Sequence, residues 1–150
     1  MSKANGSAEV KIRRAKNGDA ARITLLSGEL GYPTTEKEMK VRLRRVLPKK
    51  DHIVLIAELG GEVIGWMHLS ICDFLESASF AEINGLIVAE GHRSAGAGAK
   101  LIEAGKKWAL QKKCPLMHVR SNVIRERAHA FYERQGFIHY KTSKIFRRPL

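Results

Sequence analysis

The chain has 150 residues, 44% of them hydrophobic, the length and apolar content of one ordinary globular domain with one core, so a second domain is not expected. The longest uninterrupted apolar stretch, Ile53-Val54-Leu55-Ile56-Ala57, is far too short to cross a bilayer, and Met1-Ser2-Lys3-Ala4-Asn5-Gly6-Ser7 lacks the apolar segment of a secretion signal, so a cytoplasmic protein with no membrane partner is expected. The formal charge of +12 favours anionic partners, but it does not choose among nucleic acid, an acidic surface and a polyphosphate ligand.

Residues 1–8 are small and polar and read as a flexible tail, leaving 9–150 as the folded domain. Val10-Lys11-Ile12-Arg13 alternates like a strand, and Asn17-Gly18-Asp19 supplies turn and cap chemistry ahead of a helix with Ile23, Leu26 and Leu30 on its apolar face. Thr35 and Glu38 form a capping-box pair that opens a second helix, with Met39, Leu43, Val46 and Leu47 inward. The densest basic run, Lys37, Lys40, Arg42, Arg44, Arg45, Lys49 and Lys50, falls mostly on that helix and reads as a solvated face.

Residues 52–59 read as a buried strand, Gly60-Gly61 as a hairpin turn and 63–71 as the returning antiparallel strand. After the polar stretch around Asp73, Glu76, Ser77 and Ser79, 80–88 is a longer strand. A glycine-bearing turn at 93–98 then leads into a helix with Leu101, Ile102, Gly105, Trp108 and Ala109 inward. A strand at 115–120, a helix marked by Ala128, Phe131 and Tyr132, and closing strands at 137–140 and 143–146 complete the chain. This order implies an α/β (α+β) domain around one mixed sheet. Cys72 and Cys114 give neither a metal-ligand spacing nor a disulfide framework and read as core residues.

The turn after 80–88 carries the chemistry. Backbone N–H groups at a helix start lack partners inside the helix and sit at the positive end of its dipole, which makes an anion site. Small side chains at Ser94, Ala95, Gly96, Ala97, Gly98 and Ala99 let a pyrophosphate approach, and Arg93 adds a positive charge at the rim. A dinucleotide fingerprint would need a small residue where Leu101 stands, and the chain has no Gly-Lys-Ser/Thr triplet for a nucleoside triphosphate. Taken alone, Gly96-Ala97-Gly98 fits a purely structural turn equally well.

Arg93, Gly96 and Gly98 match in register the Arg/Gln-x-x-Gly-x-Gly/Ala signature of the GNAT superfamily of N-acetyltransferases, which this chain resembles. Asn122, Ala128, Phe131, Tyr132, Gly136 and Phe137 match the family's later segment, an Asn followed by Ala-x-x-Phe-Tyr-x-x-x-Gly-Phe. The resemblance implies a mostly antiparallel sheet with splayed fourth and fifth strands and about four flanking helices, and it implies acetyl-CoA as co-substrate. In such enzymes the pantetheine arm pairs with main chain on the fourth strand, here at Leu86, Ile87 and Val88. The pyrophosphate sits on the N–H groups of Arg93, Ser94, Ala95, Gly96, Ala97, Gly98 and Ala99; Asn122 bonds the arm, and Tyr132 points at the sulfur.

Aminolysis of a thioester needs a neutral amine, stabilisation of the oxyanion and a proton for the departing thiolate. Glu82 is the candidate base: it stands eleven positions before Arg93, the spacing of the base in the protein-lysine branch of the family, and strand parity sets it on one side with Asn84, Leu86 and Val88. The Leu86 N–H is the candidate oxyanion donor and Tyr132 the candidate acid. The histidines show no metal-ligand spacing and no metal is expected; His68 is able to line an acceptor pocket but reads first as a satisfied strand residue, and Trp66 as core. The end segment 141–150 and Ser121-Asn122-Val123 resemble small bacterial members that acetylate aminoalkylphosphonates or other low-molecular-weight amines, and a basic chain disfavours polycationic acceptors unless Asp73, Glu76 and Glu82 form a local acidic pocket, so a small or anionic primary amine is the leading acceptor. Alternatives are a protein-lysine or N-terminal acetyltransferase, or a non-catalytic nucleic-acid or ribosome-associated module; the 7% aromatic content, without interleaved basic and aromatic residues, argues against nucleic acid. A homodimer is compatible with this reading.

Overall fold

The computed structural model describes residues 8–150, with Ser94 given by its backbone alone. The expected tail at 1–8 therefore lies, Ala8 apart, outside the described residues. The chain falls into two compact units that divide after Arg120.

In the first unit, strands β1 (Lys11–Arg14), β2 (His52–Leu59), β3 (Glu62–Cys72), β4 (Phe80–Val88) and β5 (Met117–Val119) form one sheet in chain order. Neighbours run antiparallel except β4 and β5, which are parallel. The β2–β3 hairpin closes on Gly60 and Gly61, whose φ angles of 58° and 80° suit the tight turn that matches strand twist and that side chains other than glycine resist. The sheet is therefore mixed and mostly antiparallel, as expected.

Helices α1 (Ala20–Glu29) and α2 (Glu36–Val46) cover one face. Ala20, Ile23, Leu26, Met39 and Leu43 pack there against Ile56, Val63 and Ile87, with Trp66 at the margin. Helix α2 starts where the capping box was expected, the Glu38 N–H donating to Thr35 Oγ1. Helix α3 (Ala97–Gln111) lies on the opposite face. It approaches β3 closely at Gly105, where a Cβ would stand 2.6 Å from Met67 Cε and oblige that flexible side chain to shift. Arg13 ties the front of the unit together, donating to both carboxylate oxygens of Asp19 and to Glu58.

The second unit, 121–150, contains α4 (Glu126–Arg134). The helix stops at Gly136, φ 90°, with the Phe137 N–H returning to the Tyr132 carbonyl. The closing strands expected at 137–140 and 143–146 do not form: among the described residues nothing after Arg134 is helix or strand, and Ile138, Tyr140, Ile145 and Phe146 are 80% or more exposed. Alternation makes extended backbone favourable, but a strand exists only where a second chain segment meets its N–H and C=O groups in register, and alternation names no such segment.

Candidate active site

The site is organised by an irregularity in β4. His68 pairs with Gly85 but Leu69 pairs with Ile83, so Asn84 is one residue too many for its partner strand, a β-bulge. Cross-strand partners share a face, and the extra residue reverses the alternation. Glu82 lies opposite Ser70, and Asn84 donates through Nδ2 to the same Ser70 Oγ at 2.8 Å, on the α1/α2 face. Leu86 lies opposite Met67 and Val88 opposite Gly65, on the α3 face. Glu82 and Asn84 therefore do not share a side with Leu86 and Val88, contrary to the parity expected from an unbroken strand.

The bulge leaves the edge of β4 open beyond it. The Ala89 N–H donates to the Ile64 carbonyl, so by antiparallel alternation Ile87 and Gly85 also turn their main-chain groups to β3. The N–H groups of Leu86 and Val88 then face the other way. On that side β5 reaches only from Ala81 to Ile83 in register. The two strands thus part after Ile83, and Leu86 and Val88 present main chain to the gap.

Beyond Val88 the chain makes a 3-10 helix, Glu90–Ala95, which carries Arg93 exposed at the surface together with the Ser94 and Ala95 backbone. Gly96 follows at φ 78°, a left-handed conformation, and starts α3. The first intrahelical bond of α3 runs from the Lys100 N–H to the Gly96 carbonyl, 3.1 Å, so the N–H groups of Ala97, Gly98 and Ala99 have no acceptor within the helix, and Gly96 has no side chain to cap them. Open strand edge and uncapped helix start together fit the two ends of a CoA molecule, a polar arm and a pyrophosphate.

On the α1/α2 face a cavity of about 430 Å³ reaches down to Asn84 and Gly85, within the range of small-molecule pockets. Leu30, Met39 and Leu43 give it an apolar wall, and Trp66 and His68 form part of its floor. Sequence reasoning set Trp66 in the core and preferred a satisfied role for His68; both line the cavity. The His68 ring is not without a partner, since its Nε2 meets His52 Nδ1 at 2.9 Å, one ring donating and the other accepting. Burial, with the neighbouring His52 second, lowers the His68 pKa to about 4, so it is neutral at pH 7. The mid-strand Gly85 was the readable sign of a bulge and a close approach: a Cβ there would collide with the Trp66 ring.

Further along the same face, Glu82 is held on both oxygens. Arg120 Nε reaches Oε1 at 2.7 Å and the Cys72 thiol donates to Oε2 at 3.4 Å. Burial, and after it the hydrogen bond to Glu82, raises the Cys72 pKa, which keeps the thiol protonated and donating. The partnership with Arg120 had no signal in the sequence. Within the second unit, Asn122 Oδ1 accepts the Ile124 N–H and shapes the turn before α4. Tyr132 makes edge contacts with Phe131 and Phe137, and burial raises its phenol pKa, so it carries its proton at neutral pH. Among the described residues no three His, Cys, Asp or Glu side chains gather as a metal site would require.

The profile of the Acetyltransferase (GNAT) family matches residues 21–137. The chain is 29% identical over 144 residues to the uncharacterized N-acetyltransferase YhfO of Bacillus subtilis (strain 168), covering 87% of this chain and 95% of that one. Among solved structures it superposes on aminoglycoside N-acetyltransferase AAC(6')-Iy in complex with CoA, with TM-score 0.89, 18% identity and coverage of 99% and 100% of the two chains. It superposes likewise on the aminoglycoside 6'-N-acetyltransferase AAC(6')-IG of Acinetobacter haemolyticus, with TM-score 0.83, 20% identity and coverage of 93% and 99%. The two structures share its fold, and the profile match over most of its length assigns the chain to the acetyltransferase (GNAT) family, whose members are enzymes that use acetyl-CoA.

Proposed function

We propose that this enzyme transfers the acetyl group of acetyl-CoA to the primary amine of a small molecule held in the cavity between α1, α2 and the β4 bulge. The observation that carries the reading is the position of Asn84 and Gly85. They line the cavity on one side of β4, and the next residue in the chain, Leu86, begins the main-chain edge left open by β5. One short stretch of strand thus borders both an acceptor space and a donor space.

The Leu86 and Val88 main chain pairs with the pantetheine arm as an added strand would, and the N–H groups from Arg93 to Ala99, ending in the open turn of α3, hold the pyrophosphate. Asn122 bonds the arm. Acetyl-CoA supplies an activated acyl carbonyl with a thiolate leaving group. Glu82 takes the proton that an alkyl ammonium, pKa roughly 10.4, carries at neutral pH. A carboxylate oxygen has more than one lone pair, so the bonds from Arg120 and Cys72 orient Glu82 without exhausting its capacity to accept. As the amine nitrogen bonds to the acyl carbon, the Leu86 N–H donates to the oxygen on which charge develops. Tyr132, protonated at neutral pH, gives its proton to sulfur as the carbon–sulfur bond breaks, and the second proton that the nitrogen sheds on becoming an amide restores the phenol.

The test is thiol release from acetyl-CoA across a panel of primary amines, with the parent chain, Glu82→Gln and Tyr132→Phe. Release that depends on the amine, with each variant slowed by roughly 10²–10⁴-fold, is the expected result. Full turnover by both variants rejects the assigned acid and base while leaving the family intact; failure to take up CoA in calorimetry rejects the donor site.

A further inference from the structure

The basic run on α2 reads from sequence as a solvated face, yet two of its members line the acceptor cavity: Arg42 and Arg45. We infer that the acceptor amine also carries an oxyanionic group, a phosphate, phosphonate or carboxylate, seated against these guanidinium groups, an inference that rests on the cavity being the acceptor site.

Three observations converge on it. First, the cavity carries charge of one sign: among the described lining residues the ionised side chains are Arg42 and Arg45, none is Asp or Glu, and His68 is neutral. Two cations facing a largely apolar space favour a counter-charge and repel a polycation. Second, neither guanidinium is held by a close ion pair. Arg42 meets Glu38 only at 4.0 Å, while Glu38 Oε2 already accepts the Thr34 hydroxyl, and Arg45 has no hydrogen bond or ion pair among the described residues. A planar fork of N–H donors is suited to two oxygens of one anion. Third, the Nε1–H of Trp66, which also lines the cavity, is buried and lacks an acceptor among the described residues. An oxygen-rich ligand supplies acceptors for these donors.

The arrangement also sets polarity. Arg42 and Arg45 stand on α2, whereas Asn84 and Gly85 form the β4 side of the cavity beside the open strand edge. An amine reaching toward β4 therefore leaves its anionic end at α2. Such a ligand differs from the aminoglycosides named for the two superposed enzymes, which are polycations.

Two measurements on the full chain decide the matter. Thiol release is compared for O-phosphoethanolamine and β-alanine against ethanolamine and propylamine, with the parent chain and with Arg42→Gln/Arg45→Gln; glutamine keeps helix propensity. The expected kcat/KM ratio of anionic to neutral amine is at least tenfold, carried by KM, and falls toward one in the double variant. Separately, calorimetry of O-phosphoethanolamine binding to the CoA-loaded protein is expected to show uptake that weakens at least tenfold in the variant. A parent enzyme that releases thiol equally well or better with neutral or polycationic amines overturns the anion inference and leaves acetyl transfer standing. Uptake of O-phosphoethanolamine without turnover of any amine supports the anion site and overturns the acyl-transfer reading of the cavity. Absence of both uptake and anionic preference overturns the inference outright.

Discussion

Gly85 lies so close beneath Trp66 that a Cβ on it would stand 2.7 Å from the ring carbon Cη2 and 2.8 Å from Cζ3. The indole is thus seated directly on strand backbone, and its edge becomes cavity floor. Gly85→Ala should drive the ring from this seat, at a cost of about 1–3 kcal/mol, the usual range for overpacking. Denaturant unfolding measures the loss, and the acceptor KM should rise with it. Unchanged stability would mean that the ring has another place to go.

Gly96 presents the opposite case. A Cβ there meets nothing within 4 Å, but φ is 78°, so the cost of a side chain is conformational and not steric. Gly96→Ala should lower stability by roughly 1–2 kcal/mol and weaken CoA uptake, because the N–H groups of Ala97, Gly98 and Ala99 follow directly from that turn. Gly96→Asn should be milder, since asparagine tolerates the left-handed region. Equal losses in the two variants would remove backbone conformation as the cause.

Acid should weaken the fold in two separate steps. The unfolded chain protonates His68 near its ordinary 6.5, whereas the folded chain does so only at about 4, so unfolding takes up a proton between those values and stability falls as pH drops through them. Asp19 acts lower. Its hydrogen bonds from Arg13 hold its pKa below the ordinary 3.8, and its contribution, complete above that value, is lost as pH falls below it. Thermal unfolding between pH 7.5 and 4.5 should show the first step in the parent chain and a flatter profile in His68→Gln; parallel profiles would exclude His68.

Most elements up to Arg134 were legible because their signals are local. The capping box at Thr35 and Glu38, the paired glycines at 60 and 61 and the apolar periodicity of α3 each specify backbone without reference to anything distant. What escaped depends on pairing or on empty space. The bulge at Asn84 exists only relative to β3, and so the sidedness of Glu82 and Leu86 could not be counted along one strand. Arg42 and Arg45 are exposed, as a solvated face predicts, but that they also border a cavity is decided by a void, which leaves no mark on the helix beside it. The unformed strands after Phe137 fail for a related reason, the missing partner.

The bulged strand divides the protein's exposure to mutation. Peptide groups at Leu86 and Val88 are the same whatever side chains they bear, so that margin can tolerate substitution that keeps the strand extended. The opposite wall is written in side chains on α2, of which Arg42 and Arg45 are exposed and replaceable without disturbing the core. Such a scaffold can acquire new acceptors by changing one helix surface while the handling of its common donor stays constant.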